Sequence, residues 1–150
     1  MELHSNSFKA GAKIPPQFTC EGDNISPSLT WTDAPKTTRS FAVMLEDPDA
    51  PKGTYTHWIA YNIPPDKSGL PAGAGNKPDG HINGRNDFGK ADYGGPCPPQ
   101  GHGDHRYFFH VFALDTVLDI EPGALKTTVE KAMKNHIIDH AQIMGRFGRH

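Results

Sequence analysis

Residues 66–105 form a long stretch crowded with Gly, Pro, Asn and Asp, with no long apolar run. The strongest strand candidates of the chain stand on either side of it. This stretch constrains the fold more than any other feature. Gly and Pro interrupt helices, and a structureless loop of that length inside a compact domain is either functional or poorly ordered. Short strand pieces are expected within it, around His81-Ile82 and around Phe88. The same punctuation runs through the whole chain, with 16 Gly and 14 Pro among 150 residues, so turns should be many and long helices few.

Three segments read as strands. Residues 40–46 (SFAVMLE) form a short apolar run bounded by Arg39 and by Asp47-Pro48. Residues 55–62 (YTHWIAYN) are β-branched and aromatic and end at Pro64-Pro65. Strict alternation there places Tyr55, His57, Ile59 and Tyr61 on one face, and Thr56, Trp58 and Ala60 on the other. Residues 106–114 (RYFFHVFAL) divide the same way, with Arg106 opposite Tyr107. A short strand is expected at 28–31 and a returning strand at 141–147, where Gly145 weakens a helix. Only residues from about 124 carry helical spacing, through Leu125, Val129, Ala132, Met133 and Ile137, with Asn135 as a plausible stop. Thr127 and Glu130 suggest a capping box there. These elements add up to one mostly antiparallel β domain with a helix at its side.

The formal net charge of -2 is evenly spread, which removes the electrostatic case for nucleic acid or an anionic membrane. No run approaches the apolar length of a membrane helix, and the first residues lack a signal-peptide core. A cytoplasmic protein is expected. Two cysteines, Cys20 and Cys97, make no disulfide framework; free thiols suit the cytosol, although the pair could bond if the fold joined them.

Candidate chemistry gathers in two places. Asp47-Pro48-Asp49-Ala50-Pro51 reads first as a turn; it lacks the spacing of an EF-hand calcium loop. The second place is residues 95–107 (GPCPPQGHGDHRY), a stiff loop entering a core strand. Cys97, His102 and His105 would suit zinc, but paired ligand spacings are missing. Cys97 beside a histidine is the one candidate for covalent catalysis. The remaining reading is an anion pocket. Rigid Gly/Pro backbone exposes N–H groups, a histidine adds hydrogen bonds or charge, Tyr107 adds a phenolic donor, and Asp47 orients a histidine.

Taken in order, D-P-D-A-P at 47–51, the strand bearing His57 and G-P-C-P-P…G-x-H-R-Y at 95–107 resemble the phosphatidylethanolamine-binding proteins over nearly the whole chain. The stretches 18–31 and 132–149 resemble the bacterial and archaeal Raf kinase inhibitor-like branch. The resemblance implies a β-sandwich of two antiparallel sheets, Greek-key in type, with one or two peripheral helices and a small anion pocket at one end. It implies a pocket of Asp47, His57, His105 and Tyr107, walled by Cys97, Pro98 and Pro99, with Arg106 in a structural ion pair and His102 outside the site. It also implies a homodimer. Animal members carry Trp-His-His where this chain has Thr56-His57-Trp58, and they have a C-terminal helical extension. Raf inhibition therefore does not transfer, and the site should be more open or closed by a partner copy.

The expected function is a module for a small phosphorylated or carboxylate anion that modulates a partner such as a kinase or protease, without cofactor or metal. A weak hydrolase using Asp47, His57 and His105 is the alternative. Inhibition of a kinase or protease through a loop within 66–92 is a third.

Overall fold

The computed structural model describes residues 1–150. Its strands are β1 (Glu2–His4), β2 (Leu29–Thr32), β3 (Ser40–Asp47), β4 (Tyr55–Ile63), β5 (Gly69–Leu70), β6 (Ile82–Asn83), β7 (His105–Leu114) and β8 (Ile137–Phe147), with one helix, α1 (Lys126–Met133). All named strand pairs are antiparallel. They form a three-stranded sheet, β1-β2-β5, and a five-stranded sheet, β6-β4-β3-β7-β8. In chain order β3, β4, β6 and β7 lie in the spatial order 4-1-2-3, which is a Greek key.

Two apolar clusters follow from period-2 alternation on the large sheet. Phe41, Val43 and Leu45 of β3, with Phe109 and Val111 of the neighbouring β7, face the small sheet and meet Leu29 and Trp31 of β2. The intervening Ala42 and Met44 face the other way, onto Val129 and Met133 of α1. β3 is thus buried on both faces, which explains why its sequence is a continuous apolar run. The helix begins at Leu125 without a side-chain cap. The expected Thr127/Glu130 box does not form, because helix residues start one position before Thr127. Asn135, at φ 70, turns the chain from α1 into β8.

The long stretch after β4 is ordered mostly by side chains. Only β5 and β6 add sheet pairing, and Phe88 is not in a strand. Buried asparagines take the place of a ladder. Asn86 donates to the carbonyls of His57 (3.2 Å) and Asp92 (2.7 Å) and accepts from the amides of Phe88 (3.0 Å) and Lys90 (3.1 Å). Asn83 accepts from the Trp58 indole (3.2 Å) and donates to Gly75 (2.8 Å).

Two expectations are corrected. Cys20 and Cys97 are disulfide-bonded, with Cα atoms 5.4 Å apart, so neither is a free thiol. The fold brings residues 18–24 against 95–97, where the Cys20 amide also donates to Pro96 (3.1 Å). Alternation along β4 also breaks. Leu45 pairs with Trp58 and Glu46 with Thr56, so His57 is the extra residue of a β-bulge. It leaves the face of Ile59 and Tyr61, and those two pack toward α1 without it. No helix is long and apolar enough to cross a membrane.

Candidate functional site

At one end of the sandwich, β3 finishes at Asp47 and β7 starts at His105, side by side in the large sheet. A cavity of about 270 Å³ opens there. The structure brings all seven residues singled out from the sequence to its wall: Asp47, His57, Cys97, Pro98, Pro99, His105 and Tyr107. Ala50, Pro51, Tyr55 and Phe88 complete it. Tyr55 was legible in principle, since it shares the parity of His57 across one turn of pleat. Phe88, half-exposed in the long loop, carried no local signal. The rings of Tyr55, His57 and Phe88 meet edge to face, with centroids 5.0–5.3 Å apart.

His57 reaches the cavity because of the bulge in β4. Its Nδ1 lies 2.7 Å from the Gly94 carbonyl and 3.2 Å from that of Gly95. Carbonyl oxygens have no proton to give, so Nδ1 carries the hydrogen and Nε2 of the neutral ring is an acceptor. Burial pushes the His57 pKa below its ordinary value, against the opposing pull of Gly94 and of the Asp47 and Asp87 carboxylates.

Asp47 and His105 are a buried pair. His105 Nδ1 donates to Asp47 Oδ2 at 2.6 Å, and the Asp49 amide donates to Asp47 Oδ1 at 2.8 Å. The far nitrogen of His105 is also engaged, 2.6 Å from His102 Nδ1. His102 does not line the cavity, as the sequence reading expected, but it backs His105 from outside. Gly101 and Gly103, at φ 74 and 85, fold the loop back so that the exposed His102 ring packs on His105.

Tyr107 stands at the cavity with its hydroxyl buried and without a hydrogen-bond partner. Burial, with Asp47 nearby, pushes its pKa well above the ordinary tyrosine value, so it is a neutral donor. Arg106 points elsewhere and grips Asp49 through Nε (2.9 Å) and Nη2 (2.8 Å). That fork ties the β3–β4 turn to the start of β7. The opposite wall is held by the disulfide, by the Gly95 amide on Asn24 Oδ1 (2.8 Å) and by Arg149 Nε on the Pro98 carbonyl (2.6 Å). No group of three or more His, Cys, Asp or Glu side chains is placed to hold a metal ion.

The family model described as phosphatidylethanolamine-binding protein matches residues 4–148. The chain belongs to the phosphatidylethanolamine-binding protein family. A UPF0098 protein of Methanothermobacter thermautotrophicus is 47% identical over 152 residues, covering 99% of each chain. Among solved structures, Escherichia coli YbcL, described as a member of the mammalian PEBP family, superposes with a TM-score of 0.93 at 37% identity, over 99% of this chain and 98% of that one. The Chlamydia trachomatis homolog CT736 gives 0.92 at 38% identity, over 99% and 97%. Membership in the phosphatidylethanolamine-binding protein family supports a binding module of this fold.

In chemical terms, this family member's cavity offers the Tyr107 hydroxyl, which completes no hydrogen bond although Asp47 is near, and the Nε2 edge of His57, whose Nδ1 is turned to Gly94 and Gly95. Its walls are mostly rings and prolines. With Cys97 in a disulfide, the site has no cysteine nucleophile.

Proposed function

We propose that the chain is a binding module for a small anion, phosphate or a phosphoryl headgroup, and that it modulates a partner protein such as a kinase or protease. The observation that carries this reading is the Tyr107 hydroxyl, buried at the cavity without a completed hydrogen bond, its one neighbouring carboxylate, Asp47, already held by His105 and the Asp49 amide. A bound oxyanion supplies an acceptor for it. The stiff Cys97-Pro98-Pro99 wall limits the ligand to a compact group, and Asp47 keeps His105 oriented beside it. The test is an NMR titration of the ¹⁵N-labelled chain with inorganic phosphate. Signals of Asp47, His57, His105 and Tyr107 should shift, and Asp47→Ala and His57→Ala should weaken binding while keeping dispersed spectra. Unchanged affinity in both variants overturns the assignment.

The buried Asp47–His105 pair favours a second reading, a weak hydrolase with Asp47, His57 and His105 as acid and base. Turnover of an aryl phosphate that disappears in His105→Ala is its test. It ranks second because His102 already occupies His105 Nε2.

A homodimer and a cytoplasmic location belong to the same proposal. The disulfide weighs against the cytoplasm, since such bonds persist mainly in oxidising compartments. Thiol trapping of the chain in fractionated cells decides between them, and sedimentation decides the oligomeric state.

A further inference from the structure

The two ends of the chain's single disulfide differ in what reaches them. Cys20 is exposed, and Cys97 is half-buried beside the buried Pro98. Cys97 also stands between two cavities. It lines the one that holds His57, and together with Cys20 it lines a smaller one of about 170 Å³. Exposed disulfides are the kind that thiols open.

The bond clamps residues 18–24 against the wall residues 94–97. Gly95 lies so close to that segment that a Cβ on it would collide with the Phe18 carbonyl and with Asn24 Oδ1. Its amide donates to Asn24 Oδ1 (2.8 Å), and the Cys20 amide donates to the Pro96 carbonyl (3.1 Å). Gly94 and Gly95 in turn carry the two carbonyls, 2.7 and 3.2 Å away, to which His57 Nδ1 is turned. The Gly94 amide donates back to the His57 carbonyl (3.0 Å). The His57 ring is thus held by the backbone two and three residues from Cys97. A bond that is either made or broken supplies the two discrete states that coupling requires. Other ties keep the segment in place when the bond opens. The Tyr93 hydroxyl donates to the Phe18 carbonyl (2.6 Å), and Arg149 Nε donates to the Pro98 carbonyl (2.6 Å).

We propose that Cys20–Cys97 is a thiol-exchange site, opened at Cys20 by a small thiol of the glutathione class, and that its state sets the position of His57 at the cavity. The incoming thiolate attacks the Cys20 sulfur. A new S–S bond forms there as the Cys20–Cys97 bond breaks, and the electron pair leaves with Cys97, which takes up a proton. A second thiolate then attacks the sulfur of the first thiol in the mixed disulfide, and Cys20 leaves and is protonated. Two thiols are oxidised to one disulfide, and their two electrons and two protons end on Cys20 and Cys97. None of this depends on which ligand the cavity holds.

The experiment treats the intact oxidised chain with reduced glutathione, without denaturant, and then blocks free thiols with N-ethylmaleimide. Peptide mass spectrometry should find glutathione on Cys20 and maleimide on Cys97, with the Cys20 adduct in about tenfold excess over a Cys97 adduct. In spectra of the ¹⁵N-labelled chain, full reduction should move the signals of His57, Gly94 and Gly95 and leave those of α1 in place. Oxidised glutathione should return them. The Cys20→Ser/Cys97→Ser variant should show His57 at its reduced position. A bond that glutathione does not open, an adduct chiefly on Cys97, or reduction without a shift at His57 overturns the inference. Collapse of spectral dispersion on reduction also overturns it, since the bond is then a staple of the whole fold.

Discussion

Tyr107 sets the residue-scale trade between stability and binding. A buried hydroxyl without a partner costs about 1–3 kcal/mol, and a ligand oxygen relieves that cost. Tyr107→Phe should therefore melt no lower than the parent chain without ligand, while its phosphate affinity drops about tenfold. Thermal melts with and without phosphate check both halves; a variant that binds phosphate as tightly as the parent removes Tyr107 from the site. Asp49 gives a second expectation. The Arg106 guanidinium holds its pKa at about 2, below the ordinary 3.8. The folded pKa is the lower one, so this contribution is complete above about pH 4 and lost as pH falls through about 2. Asp49→Asn should narrow its stability deficit against the parent across that acid window in urea titrations at stepped pH. Asp47, His57, His105 and Tyr107 were legible in the sequence as residue types in a recurring order. The His102–His105 contact was not, because it depends on two left-handed glycines whose conformation spacing does not report.

At the scale of elements, the β4 bulge and the asparagine-clamped loop build the site. Period-2 alternation located β3, β4 and β7 well, since their apolar patterns are properties of each strand alone. It placed His57 on the wrong face because a bulge is a property of two paired strands: the register against β3 changes between Trp58 and Thr56. The loop after β4 looked structureless for a related reason. Its backbone is satisfied by Asn83 and Asn86 side chains, which leave no periodic signature. Asn86→Ala strips four hydrogen bonds from the backbone beside His57 and should lower unfolding free energy by about 2–3 kcal/mol, with phosphate affinity falling in parallel. Urea denaturation and calorimetry read the two effects. Loss of stability with unaltered affinity uncouples the loop from the cavity.

At the scale of the molecule, the Cys20–Cys97 bond joins positions 77 apart in sequence and ties the cavity wall to the 18–24 segment. Closing a loop of that size restricts the unfolded chain and contributes about 2–4 kcal/mol. The Cys20→Ser/Cys97→Ser double variant should lose that amount in urea denaturation, and the parent in reducing buffer should match it. A parent whose stability ignores reductant shows the bond contributing nothing. The sandwich itself rests on β3, buried on both faces between the small sheet and α1, so the site sits at the end of a rigid double core.

The sequence by itself determined the longer strands, the single helix, the mostly antiparallel class and the residue types of the cavity, but not the short strands β1 and β5. Each of these is written in local periodicity or in motifs that keep their order along the chain. Only the tertiary structure decided that Cys20 meets Cys97, that His57 turns through a bulge to face Tyr107, and which atoms of the pocket remain unbonded. Those outcomes depend on partners distant in sequence: Gly94 and Gly95 for His57, Asp47 for His105, residues 18–24 for Cys97. A hydrogen bond or disulfide forms only when both ends arrive at the same place, and no single stretch of chain carries that information.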